Sequence, residues 1–191
     1  MVLIKNRSTI NVVAPLLVVT LCVSAMFRPA VAGQEVTVIS PKNPLPNVVT
    51  TDTKTDRDAA ADLCDYLSRV SGRKVTVSAE PAQTGVIIHV GRDEFASKQC
   101  PQIDTLFADG FIIKSIESDG RQHIVLSGKL DRASQWAVEQ FLKDYCGVRW
   151  LFPDPVYGEV VPFRPTITVA AALSKTYEPD YHSRSNCQMY Y

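Results

Sequence analysis

Histidine is scarce in this chain of 191 residues: His89, His123 and His182 are the only three, and no two of them stand at helical spacing. No C-x-x-C pair occurs among the five cysteines, so neither residue type offers a recognisable zinc site. Charge of one sign is not in excess, with 20 basic and 20 acidic residues. That balance provides no basic face for nucleic acid. A G-x-S-x-G elbow for a hydrolase serine is absent. The stretch "SGKLDRAS" (127–134) follows a strand pattern and opens a helix, as a phosphate loop does, but the position that should hold the loop's first glycine holds His123. Long apolar runs are missing as well. The longest, "INVVAPLLVVTLCV" (10–23), is shorter than the roughly 20 residues needed to span a bilayer. Nothing in these patterns calls for a metal or a cofactor.

The apolar run has another reading. Lys5 and Arg7 precede it, and "AVA" (30–32) places small residues just before Gly33. Residues 1–32 therefore read as a secretory signal peptide cleaved near Ala32. The mature protein is expected to be exported, periplasmic or extracellular, with no stable membrane span after signal removal. Leu21, ahead of Cys22, argues against a lipid-modified cysteine. Cleavage removes Lys5, Arg7 and Arg28 and no acid, which leaves a net charge of −3. The remainder is long enough for one domain with its own core. It keeps Cys64, Cys100, Cys146 and Cys187, which in an exported protein could pair in three ways. Cys64, on the apolar side of a helix pattern, reads as a buried free thiol.

Periodicity then gives the elements. "EVTVIS" (35–40) alternates as a strand, and "PKNPLPN" (41–47) is a loop. "DRDAAADLCDYLSRVSG" (56–72) reads as a helix capped by Thr55 or Asp56 and stopped by Gly72, with Ala60, Leu63, Leu67 and Val70 as its buried stripe. Asp56, Asp58, Asp62 and Asp65 read as a solvated face of that helix. Strands are expected over 74–79 and 85–91, and a short helical patch within 92–107. Asp93 and Glu94 read as a surface turn after Gly91, and His89 and His123 as satisfied or solvent-facing. "DGFIIKSIES" (109–118), the turn "SDGR" and "QHIVLSG" (122–128) form a hairpin pattern. A second helix runs from about Asp131 to Cys146 on Val138, Phe141, Leu142 and Tyr145, and short strands follow over 158–163 and 166–170. The expected fold class is α+β: a mixed β-sheet of about six strands with two main helices packed on it.

Aromatic residues gather late in the chain. Gly147 stops the second helix, Pro153 and Pro155 forbid another, and "GVRWLFPD" places Arg149 and Trp150 on a rigid exit segment. Trp136 stands off its helix stripe, and Tyr157 follows the prolines. Arg149, Trp150, Trp136 and Tyr157 are therefore the candidate domain-interface or sugar-contact residues, since aromatic faces serve both purposes. No residue qualifies as catalytic, because glycoside hydrolysis requires two facing carboxylates and none is readable here.

Several segments carry a resemblance: "AAADLCDYLSRVSGRKVTV", "VIIHVG", "DGFIIKS" and "SQWAVEQFLKDYCGVRWLFPDPVYGEVVP", in that order. Together they resemble the N-terminal domain of alpha-glucuronidase-like glycoside hydrolases and of related large exported bacterial proteins. The helix ending in G-x-R-W-x-x-P is the most specific part. The resemblance implies a fold similar to the non-catalytic second domain of beta-hexosaminidases, set before a catalytic (β/α)8 barrel. It further implies an exported accessory domain over 33–172, and a linker over 173–191 leading to a barrel that is absent here. The chain then reads as a fragment that is not itself catalytic, from a carbohydrate-active enzyme whose barrel hydrolyses polysaccharide or oligosaccharide. The alternative is a freestanding carbohydrate-binding or interaction module, with polysaccharide as its partner.

Overall fold

In the computed structural model the described residues are 34–81, 84–154 and 157–179. The signal-peptide reading of 1–32, Cys187 and the later part of the linker reading lie outside them. Alternation builds strand β1, Glu35–Ile39, which buries Val36 and Val38; a bulge after Thr37 also turns Ile39 inward. The run just past the proline-rich loop, Asn47–Thr50, is strand β2, which the sequence pattern did not single out. Helix α1 spans Lys54–Ser71 and ends at Gly72, whose φ of 71° is the left-handed stop expected of a glycine. Ala60, Leu63, Leu67 and Val70 are all fully buried, as the stripe requires.

Its start differs from the sequence reading. The N-cap is Thr53, whose hydroxyl accepts from the Asp56 N–H at 3.2 Å. Asp56 is not on a solvated face. It is buried, its carboxylate accepts from the Thr51 hydroxyl at 2.5 Å, and it packs where a side chain at Gly91 would stand. Asp58, Asp62 and Asp65 are exposed as expected.

Strand β3, Ile87–Val90, is followed by the short helix α2, Glu94–Gln99, and a 3-10 turn, Pro101–Thr105. The hairpin forms as β4, Phe111–Ser118, and β5, Arg121–Gly128. Helix α3, Asp131–Phe141, passes into a π-helical turn, Leu142–Cys146, so the second expected helix is α-helical for only part of its length. Four short strands complete the described residues: β6, Arg149–Trp150; β7, Glu159–Val160; β8, Ile167–Ala170; and β9, Ser174–Tyr177. Strand β9 falls in the stretch read as linker.

The main sheet has the order β2-β3-β5-β4-β9, with β2, β3 and β5 parallel and β4 antiparallel to both neighbours. The fold is thus a mixed sheet with helices packed against it. The strand expected over 74–79 does not form; Val77 makes a single parallel bridge to Val48, closed by the Ser78 N–H donating to Val48 O at 2.8 Å. Strand β1 pairs with β8, and this ribbon adds Val36, Val38, Ile39, Ile167 and Val169 to the main core. That core lies between one sheet face and helices α1 and α3. Alternation sends Ile112 and Val125 to the opposite face, where α2 and the 3-10 turn cover them with Ala96, Cys100 and Ile103. Cys64, Cys100 and Cys146 are buried and free. No helix among the described residues is long and apolar enough to cross a membrane.

Candidate functional site

The end of the π-helical turn sets the geometry of the exit segment. Gly147, at φ 78°, donates its N–H to Leu142 O, and Val148 does the same at 3.1 Å before burying its side chain. The next two residues leave the domain surface. Strand β6 pairs antiparallel with β7, matching Arg149 to Val160 and Trp150 to Glu159. The loop between them closes through Leu151 N–H to Gly158 O at 2.7 Å and Tyr157 N–H to the Asp154 carboxylate at 2.7 Å.

Arg149 turns back on its own turn. Its guanidinium donates to Lys143 O at 2.6 Å and Val148 O at 2.7 Å, satisfying carbonyls that the helical ladder leaves open. Trp150 instead faces α1. Its indole N–H donates to the Tyr66 hydroxyl at 2.9 Å, with the two rings edge to face at 5.5 Å and 82°. The Tyr66 hydroxyl donates to Glu159 at 2.5 Å, and Arg69 pairs with the other Glu159 oxygen at 2.5 Å while lying over the Tyr66 ring. The hydrogen bonds from Tyr66 and Arg69 hold the Glu159 carboxyl below its ordinary range. Burial and then the Glu159 hydrogen bond raise Tyr66. A four-residue chain therefore fixes the β6–β7 hairpin to α1.

Trp136 and Trp150 line one groove of about 440 Å³, together with Phe111, Glu139, Lys143 and Tyr177. Phe111 and Tyr177 stack at 4.8 Å and 14°. The Asp144 carboxylate receives Gln140 at 2.8 Å, Tyr177 at 3.0 Å and Lys175 at 3.2 Å, which ties edge strand β9 to the π-helical turn. Burial pushes Asp144 up, but these hydrogen bonds outweigh it and leave the carboxyl low. Burial, with Asp62 second, raises Glu139 in the groove wall.

Of the candidate residues, the groove unites Trp136 and Trp150. Arg149 bonds to backbone beside it, and Tyr157, 75% exposed, stands on the hairpin loop away from the groove. Along the hairpin and just past it, Trp150, Leu151, Phe152, Tyr157, Val160 and Phe163 are each more than 40% exposed, a concentration of large apolar side chains within one short stretch. Sequence reasoning missed Tyr66, Arg69 and Glu159, whose roles depend on a pairing between distant segments. Tyr66 gave one clue, as an aromatic residue off the buried stripe of its helix.

Among known proteins, the family Glycosyl hydrolase family 67 N-terminus matches residues 35–138, from β1 into α3. One similar solved structure is a family GH115 4-O-methyl-alpha-glucuronidase, BtGH115A, with specificity for decorated arabinogalactans. It shares 13% sequence identity with a TM-score of 0.47, over 75% of this chain and 18% of that one. This chain thus spans less than a fifth of that protein's length. No curated protein matches.

Proposed function

The chain belongs to the family Glycosyl hydrolase family 67 N-terminus, and from that membership we propose that its domain is the exported, non-catalytic accessory domain of an alpha-glucuronidase-like enzyme. The catalytic part lies elsewhere, in a following (β/α)8 barrel that would hydrolyse polysaccharide or oligosaccharide. The observation that carries this reading is the exposed apolar stretch of the β6–β7 hairpin, where Leu151, Phe152, Tyr157 and Val160 are open to solvent while Trp150 and Glu159 anchor the hairpin to Tyr66 and Arg69 on α1. An anchored apolar segment of this kind suits burial against a neighbouring domain. The signal reading of residues 1–32 supports export.

A second reading, a polysaccharide-binding module, is favoured by the groove, where two tryptophans flank polar side chains on α3. Affinity electrophoresis through xylan and chitin-type polymers separates the two. The accessory reading expects no retardation of the chain and no release of sugar from aryl-glycosides or glucuronoxylan. Retardation of the wild type that Trp150→Ala abolishes would overturn it in favour of the second.

A further inference from the structure

On the sheet face away from α1 and α3, two histidines lie side by side. The parallel register sets His123 opposite Ile87 and Val125 opposite His89, so both imidazoles leave the same face one step apart. They are 3% and 6% exposed, for His89 and His123 respectively. His89 Nε2 and His123 Nδ1 are 3.0 Å apart, and His89 Nδ1 lies 2.5 Å from Asp93 Oδ2. The other Asp93 oxygen accepts the Ala96 N–H at 2.7 Å and so caps α2. Phe95, on that helix, lies flat over both rings, at 4.5 Å from His89 and 4.2 Å from His123. His123 Nε2 is buried on the side of the Ser118 carbonyl. Cap, aromatic cover and histidine pair are one unit.

A nitrogen–nitrogen contact of this length holds one hydrogen: one ring donates, and the other presents a lone pair. A single extra proton on the pair is balanced by the Asp93 carboxylate. A second sets N–H against N–H at a site shielded from water. We propose that the Asp93–His89–His123 unit is a proton-operated latch, which holds residues 93–105 on the sheet while His123 is neutral and releases that layer when His123 takes up a proton in mild acid.

Several features confine the response to this layer. Its apolar cluster of Ala96, Cys100 and Ile103 on Ile112 and Val125 is separate from the main core. Its polar ties include the ion pair Arg92–Asp104 at 2.6 Å, the bond from Lys114 to Gln99 O at 3.4 Å and a bond from Lys129 to Asp104 O, all at or near the surface. Such segments open at lower cost than the whole domain. The charged groups facing the pair are Asp93 at the α2 N-cap, Glu94 and Lys98 from α2, Lys114 from β4, Asp119 from the β4–β5 turn and Arg121 from the start of β5. Burial first, then His89 and Arg121, push His123 below its ordinary value, against the Ser118 carbonyl and Asp119. A histidine depressed in the closed state and normal once released keeps the layer closed above about pH 6.5 and weakens it as pH falls below that.

Hydrogen exchange of the full chain at two pH values, corrected for intrinsic chemical rates, tests the latch. Between about pH 7.5 and 5.5 the amides of 94–105 should gain roughly tenfold in opening, while α1 and β5 hold. His123→Asn keeps a donor at the Nδ1 position but cannot take the proton, so the gain should vanish. Asp93→Asn keeps an acceptor for Ala96 but removes the balancing charge, so release should begin at higher pH. Unchanged exchange over 94–105, an equal gain across the whole domain, or a gain that survives in His123→Asn overturns the proposal. Should His123→Asn fail to fold, an onset that does not move in Asp93→Asn overturns it instead.

Discussion

Trp150→Ala measures how firmly the exit hairpin is seated on α1. A fully enclosed tryptophan buries about 150–250 Å², and this one is 43% exposed, so roughly half of that area, ~110 Å², is covered. At about 25 cal/mol per Å² this gives ~2.8 kcal/mol, and a compact unfolded state lowers it to about 2 kcal/mol. The covered part includes the edge-to-face contact with Tyr66 and the indole hydrogen bond. Tyr66→Phe removes the hydroxyl that both accepts from Trp150 and donates to Glu159, while keeping the ring. A double-mutant cycle of the two should therefore show a coupling of about 0.5–1.5 kcal/mol. Urea unfolding followed by far-ultraviolet circular dichroism is the suitable assay, because fluorescence would change with the tryptophan itself. The dependence on urea should keep its slope. A loss below about 0.5 kcal/mol for Trp150→Ala, or strict additivity in the cycle, would refute the idea that this chain of contacts fixes the hairpin.

Gly147→Ala and Gly120→Ala both put a side chain at positive φ, at about 1–2 kcal/mol each, but only at Gly147 would the new methyl meet Arg164 and Pro162. Urea midpoints should therefore fall further for Gly147→Ala than for Gly120→Ala. Cys64, Cys100 and Cys146 should resist thiol reagents in the native protein, since burial pushes the Cys64 thiol up to about 11 and Cys146 to about 12; peptide mapping after labelling should find them modified only once the chain unfolds. The Glu159 carboxyl is depressed in the folded state, so its stabilising contribution is present above its ordinary range near 4.5 and lost as pH falls through the folded value. Glu159→Gln should flatten the stability profile between about pH 5 and 3, and an unchanged profile would count against the role given to Tyr66 and Arg69.

Local patterns were legible where one short window held the whole signal. The stripe of α1, the β4–β5 hairpin with its Asp-Gly turn, and the glycine stops at 72 and 147 all belong to this class. What escaped the sequence depended on pairing. Strand β2 is four residues behind a proline-rich loop, and its partner β3 lies beyond α1, so only the sheet identifies it. Asp56 has the look of an exposed helix acid, but Gly91 leaves room for its carboxylate to be buried beside the strand end. The histidines at 89 and 123 share nothing in sequence spacing, and only the parallel register of β3 and β5 makes them neighbours. In the same way, Trp150 stood out as an aromatic residue at a helix exit, but nothing near it in sequence named Tyr66 as its support.

Strand β1 pairs with β8 near the two ends of the described domain, and Gln34 O accepts the Ala171 N–H at 2.8 Å. This pairing joins segments separated by almost all of the domain's length, so its loop-closure entropy is the largest of any pairing in the fold. It should form late in folding, after the hairpin and the parallel strands have drawn the chain together. Because β9 still follows β8 and closes the β4 edge of the main sheet, shortening the chain just after Ala171 would cost that edge strand and the buried Leu173 while leaving the β1–β8 ribbon intact.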